Sequence, residues 1–125
     1  NIIDILVEEK KLKKQILSIK TDSTPIEKPK NWKNCNLFNI YKLLATKDQL
    51  HQLKRNYEKG GYGYGKAKAD LLDLILTKYT KERDLFNYYM NNLDEIDAIL
   101  KSGSKKAIET ADEVLKRVRE KLGYN

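Results

Sequence analysis

Apolar positions recur along this chain at spacings of three, four and seven, which is the period of helices with one buried stripe. In "VEEKKLKKQILSI", Leu12, Ile16 and Ile19 share a face behind Glu8 and Glu9, acids placed where a helix macrodipole favours them; the spacing predicts a basic amphipathic helix over about residues 8–19. "NCNLFNIYKLLA" sets Leu37, Ile40, Tyr41 and Leu44 on one face. Thr46 is then a ready cap for "KDQLHQLKRNYEKG", whose stripe is Leu50, Leu53 and Tyr57 and whose end is marked by Gly60 and Gly61. "KAKADLLDLILTKYTKERDLFNYYMNN" aligns Leu71 or Leu72 with Ile75, Tyr79, Phe86 and Met90, which predicts one helix of about 26 residues, loosened over Thr77–Thr80. "LDEIDAIL" follows with early carboxylates and Gly103 as its stop, and "SKKAIETADEVLKRVREKLG" predicts a last helix, capped by Ser104, with Ile108, Ala111, Leu115 and Val118 on one face before Gly123.

The fold class expected is therefore all-α, a bundle of five or six helices with an irregular N-terminal connector. Both prolines fall in "KTDSTPIEKPKNWKN". That segment is the expected boundary between a first part, 1–33, and a helical domain, 34–125. A length of 125 residues suits one domain or a domain with an appendage.

Charge changes the picture. The net charge is +7, and it is uneven: residues 1–33 carry 8 basic and 5 acidic side chains, 34–70 carry 7 and 3, and 71–125 carry 10 and 10. A basic excess confined to the first 70 residues points to a polyanionic partner such as nucleic acid. The clusters "EEKKLKKQ" and "KRVREK" read first as solvated helix faces. No apolar run reaches membrane-spanning length. One cysteine, Cys35, and one histidine, His51, form neither a disulfide nor a zinc site, which fits a reducing compartment. No targeting peptide is evident. His51 beside the Leu50 and Leu53 stripe reads as a surface or half-buried histidine for want of a nucleophile, and Cys35 as a small buried hydrophobe.

The stretch "GGYGYGKAK", 60–68, contains Gly-x-x-x-x-Gly-Lys. A nucleotide phosphate loop follows a strand and ends in Lys-Ser or Lys-Thr, whereas here an amphipathic helix precedes and Ala67 follows Lys66. A dinucleotide fingerprint fails as well, because one residue separates Gly63 from Gly65 where two are required. Two readings remain. In one, the glycines form a tight helix junction with Tyr62 and Tyr64 plugging the core. In the other, Lys66 and Lys68 at the start of the next helix meet an RNA phosphate while a tyrosine stacks on an exposed base.

Taken in order, "KTDSTPIEKPKN", "NCNLFNIYKLLA", "GGYGYGKAKADLLDLIL", "KERDLF", "AILKSGSKKA" and "VLKRVREKLGY" resemble the C-terminal part of a bacterial-type tryptophanyl-tRNA synthetase, from about Ile2 to Tyr124. "GGYGYGKAK" with "TDST" and "CNLF" carries most of that resemblance. It implies a class I enzyme in which a Rossmann-type catalytic domain activates tryptophan with ATP and magnesium, followed by a helical domain contacting the anticodon of tryptophan tRNA. Neither a Lys-Met-Ser-Lys-Ser loop nor a His-Ile-Gly-His-type signature is present. The resemblance therefore implies that this chain is a catalytically inactive fragment without a cofactor or metal of its own. It implies further that the fragment is monomeric, though the full-length enzyme is a homodimer, and that its location is the cytoplasm or an organellar matrix. Candidate tRNA-binding residues, chosen by charge and location, are Lys54, Arg55, Lys59, Tyr62, Tyr64, Lys66 and Lys68. Two departures stand out: Thr80 lies near a position where many relatives carry proline, which implies a straighter helix here, and Trp32 occupies a connector position that is usually polar. The rival expectation is a structural helical module that packs on the catalytic domain with little RNA specificity of its own.

Overall fold

The computed structural model describes residues 3–103 and Lys116. Among them are six helices and no strand: α1 (Glu9–Leu17), α2 (Asn36–Leu44), α3 (Lys47–Lys59), α4 (Tyr64–Lys78), α5 (Thr80–Met90) and α6 (Leu93–Ser102). The architecture is all-α, as the apolar periodicity requires. The helix expected from Ser104 onward, with its stripe from Ile108 to Val118, lies outside the described residues.

By its contacts the chain forms two units, 1–78 and 79–125. The expected boundary near residue 33 lies inside the first unit, because α1 packs on α4, as does α2. Leu12 and Ile16 of α1 are buried with Leu37 and Phe38 of α2, Leu53 and Tyr57 of α3, and Ala67, Leu71, Leu74 and Ile75 of α4. Leu71 rather than Leu72 is the core residue of that pair. Thr46 caps α3 through a reciprocal box: its hydroxyl accepts from the Gln49 amide at 3.2 Å, and its own amide donates to Gln49 Oε1 at 2.9 Å.

The single long helix expected over residues 66–92 is two helices. Tyr79, at φ −107° and ψ 24°, leaves helical geometry between α4 and α5. The break falls in the Thr77–Thr80 stretch, where β-branched residues weaken helical order without any proline. In the second unit α5 packs against α6. Phe86, Tyr89 and Ile96 are its buried apolar residues among those described, and α6 ends where Gly103 turns left-handed at φ 63°.

Candidate nucleic-acid interface

The connector between α1 and α2 is a strap laid across the α3–α4 junction. Pro25 starts it with a turn in which the Lys28 amide donates to the Pro25 carbonyl. Two backbone bonds then fasten it: the Gly61 amide donates to the Ile26 carbonyl at 2.8 Å, and the Lys30 amide donates to the Tyr57 carbonyl at 2.7 Å. The glycines make this approach possible. Gly60 sits at φ 81°, and a Cβ there would stand 2.7 Å from the Glu27 carbonyl oxygen. A Cβ on Gly63 would likewise stand 3.0 Å from the Ile26 side chain.

Tyr57 is the centre of what the strap covers. Its fully buried ring meets Phe38 at 5.6 Å, Tyr62 at 6.0 Å and Tyr64 at 6.3 Å between centroids. Its hydroxyl lies 3.3 Å from Cys35 Sγ, so that buried thiol serves as a small hydrophobe with a weak polar contact. Burial, reinforced by the Cys35 contact, pushes the Tyr57 phenol well above its ordinary pKa. Lys30 is buried beside it, donating from Nζ to the Pro25 carbonyl at 3.3 Å and standing 5.2 Å from the Tyr64 ring centroid.

The junction tyrosines are half-buried and each is tied to a carboxylate. Tyr62 donates to Asp70 Oδ2, and Tyr64 to Asp22 Oδ1, both at 2.6 Å. Burial and then these acidic partners raise both phenols far above their ordinary pKa. The Tyr64 bond in turn holds Asp22 below the usual carboxylate range, with help from the Thr24 amide. Both hydroxyls are thus committed to internal bonds.

The cations divide in the same way. Lys68 is half-buried, and its Nζ donates to the Leu17 and Ile19 carbonyls at 2.9 and 2.8 Å, closing the C-terminal end of α1. Lys66 is exposed and pairs with Asp70 at 3.2 Å, one turn on. Arg55 and Lys59 are exposed on neighbouring turns of α3, Arg55 donating to Gln52 at 3.2 Å. Lys54 stands with its Nζ 4.4 Å from the centroid of Trp32. His51 is exposed on α3.

A nucleotide phosphate does not fit the glycine turn, since the Gly61 amide that would cradle it is spent on Ile26. Among the described residues no three of His, Cys, Asp and Glu gather to hold a metal ion, and no helix is long and apolar enough to cross a membrane. A groove of about 510 Å³ between α2, the start of α3 and α4 contains Asp70 and Asp73, which suits a phosphate poorly. The basic flank of α3, with Trp32, is a surface compatible with a polyanion.

Among the contacts that sequence reasoning missed are the buried Lys30, the Trp32–Lys54 pair and the Asp22–Tyr64 bond. All depend on where the strap docks. Only the glycines, by demanding something close to their backbone, signalled that an approach would occur.

No family model matches the chain. It is 42% identical over 123 residues to the tryptophan–tRNA ligase of Campylobacter jejuni, a match covering 98% of this chain and 39% of that protein. It is 41% identical over 123 residues to the tryptophan–tRNA ligase of Fusobacterium nucleatum, with 98% and 38% covered. The crystal structure of the Campylobacter jejuni tryptophanyl-tRNA synthetase, complexed with ADP and tryptophan, matches with a TM-score of 0.79 at 41% identity, over 98% of this chain and 39% of that one. The chain spans well under half the length of these curated relatives.

Proposed function

Because this chain is a C-terminal region of the tryptophan–tRNA ligase family, we propose that it forms the tRNA-recognising part of such a ligase. It holds the anticodon arm while the acceptor end reaches a catalytic part elsewhere in the whole enzyme. The observation that carries this reading is the match to ligases across 98% of the chain. The concentration of positive charge in residues 1–70, including the exposed cations of α3, supports it. Lys54, Arg55, Lys59 and Lys66 contact RNA phosphates and set its register, while unpaired anticodon bases are read by side chains beside them. Lys68 and the hydroxyls of Tyr62 and Tyr64, already engaged internally, hold the junction together.

ATP and magnesium act in the catalytic part of the whole enzyme, which works in the cytoplasm as a homodimer. This chain alone is monomeric and does not activate tryptophan, and tryptophan-dependent pyrophosphate exchange by the purified 125-residue chain tests that directly. The recognition reading is tested by anisotropy titrations of labelled tryptophan tRNA and of an anticodon-altered version at several salt concentrations. Tight binding that is lost with the altered anticodon supports it; equal, weak binding of both refutes it.

A second reading has its own observation. The internal bonds of Lys66, Lys68, Tyr62 and Tyr64 are what a purely structural junction needs, so the chain could serve chiefly to pack against the catalytic part. The equal-binding outcome would favour it.

A further inference from the structure

Trp32 is the one tryptophan of the chain, and it sits half-buried on the strap with part of its ring open to solvent. The ring is nevertheless held firmly. Its centroid lies 5.3 Å from that of Phe38, itself buried, with the two planes 34° apart. Its Nε1 donates to Glu58 Oε1 at 3.3 Å. Over the indole stand two ammonium groups, Lys54 Nζ at 4.4 Å and Lys33 Nζ at 5.9 Å from the centroid. The Glu58 carboxylate is bound at the ring nitrogen.

These are the components of a single-strand binding position, an oriented aromatic ring and adjacent cations, with Lys54 lying over the ring in the free chain. Resting on the RNA-binding reading above, we propose that Trp32 is a stacking platform for one unpaired base of the bound tRNA, with Lys54 and Lys33 moving from the ring to the flanking phosphates. The exchange is favourable in two respects. A base–aromatic stack is stronger than a partly exposed cation–π contact, so a base displaces the Lys54 ammonium from the ring. The displaced ammonium gains a phosphate partner. The anchoring by Phe38 and Glu58 means that little ring freedom is lost on binding. Stacking does not discriminate strongly between bases, so Trp32 supplies affinity and places the base for other side chains to read.

Because Trp32 is the sole tryptophan, its emission reports on this ring alone. The 125-residue chain is titrated with tryptophan tRNA, following tryptophan fluorescence and, in parallel, the anisotropy of end-labelled tRNA. The expected result is quenching of Trp32 that saturates with the same midpoint as the anisotropy. Trp32→Phe, which keeps an aromatic face, should bind more weakly, and Trp32→Ala weaker still, by roughly 5- to 150-fold overall, the range one stacked base spans. Circular dichroism identifies variants that fail to fold, and the wild-type titration decides without them. RNA binding by anisotropy with unchanged Trp32 emission overturns the stacking role and leaves the recognition reading standing. Absence of RNA binding by anisotropy overturns both.

Discussion

Replacing Gly60 by alanine should damage the first unit far more than replacing Gly61, although the two glycines are adjacent and both have positive φ. Gly60 lies at φ 81° and ψ 169°, a region that side-chain-bearing residues enter at a cost of about 1–3 kcal/mol. Its new Cβ would also stand 2.7 Å from the Glu27 carbonyl oxygen, so the strap must shift. Each backbone bond the strap then surrenders, Gly61 to Ile26 or Lys30 to Tyr57, costs a further 0.5–1.5 kcal/mol or so. With one such bond lost the sum is about 1.5–4.5 kcal/mol, a large share of the few kcal/mol that stabilise a unit of this size. Gly61, at φ 77°, has nothing within 4 Å of the position a Cβ would take, leaving only a backbone penalty of about 1–2 kcal/mol. Urea unfolding followed by Trp32 emission reads both, since Trp32 lies two residues beyond the strap's second bond. With a slope of about 1–2 kcal/mol per molar urea, the midpoints of the two variants should differ by about 0.5–2 M. Equal midpoints would mean that the contact with Glu27 carries no energy and that the strap is merely adjacent to the turn.

Further outcomes follow from the same geometry. Lys66→Ala should lower the slope of log affinity against log salt by about 0.7–0.9, as expected for one phosphate contact, with little effect on stability; an unchanged slope removes Lys66 from the interface. Lys68→Ala should instead destabilise the first unit by roughly 1–2 kcal/mol, through two lost bonds to the end of α1, and leave the salt slope alone. Tyr57, Tyr62 and Tyr64 have raised pKa values in the folded chain. Their contribution to stability is therefore complete below the unfolded value near pH 10 and is lost as pH climbs above it. Absorbance at 295 nm should show these phenols ionising late, together with alkaline unfolding, and smooth titration of all eight tyrosines near pH 10 would contradict their burial. Asp22 has the opposite sign: with its folded pKa lowered from 3.8, its contribution is present above that value and disappears as pH falls through the folded one. Asp22→Asn should accordingly flatten the acid limb of the stability profile measured by urea unfolding, and an unaltered limb would show that the Tyr64 bond is not maintained in solution.

Much of the helical plan was legible because it depends on neighbours in sequence. Thr46 and Gln49 cap α3 from within one turn, and Leu12 and Ile16 mark the buried face of α1 by spacing alone. The glycine turn after α3 could be read from its residue types. What approaches it could not, because Ile26 and Gly61 meet across two intervening helices. The same holds for Asp22 with Tyr64 and for Lys68 with the α1 carbonyls. Lys68 shows the limit most plainly. Its charge and position suggest a phosphate ligand, and only the placement of α1 shows that its ammonium is already occupied. The break at Tyr79 lies between these extremes: Thr77 and Thr80 signalled a weak point, whereas the periodicity on either side argued for continuity.

The strap also sets a timetable for folding. Ile26 and Lys30 leave the ribosome well before Gly61 and Tyr57, the residues they bind, and α1 must likewise wait for α4. Short-range turns and helices can form as they emerge, but closing the long loop between strap and junction carries an entropy cost that no local contact offsets. A nascent chain halted before α4 is complete therefore leaves uncovered the faces of α1 and α2 that pack on α4. The first unit then closes only after α4 has emerged, and in that interval the growing polypeptide is most in need of a chaperone.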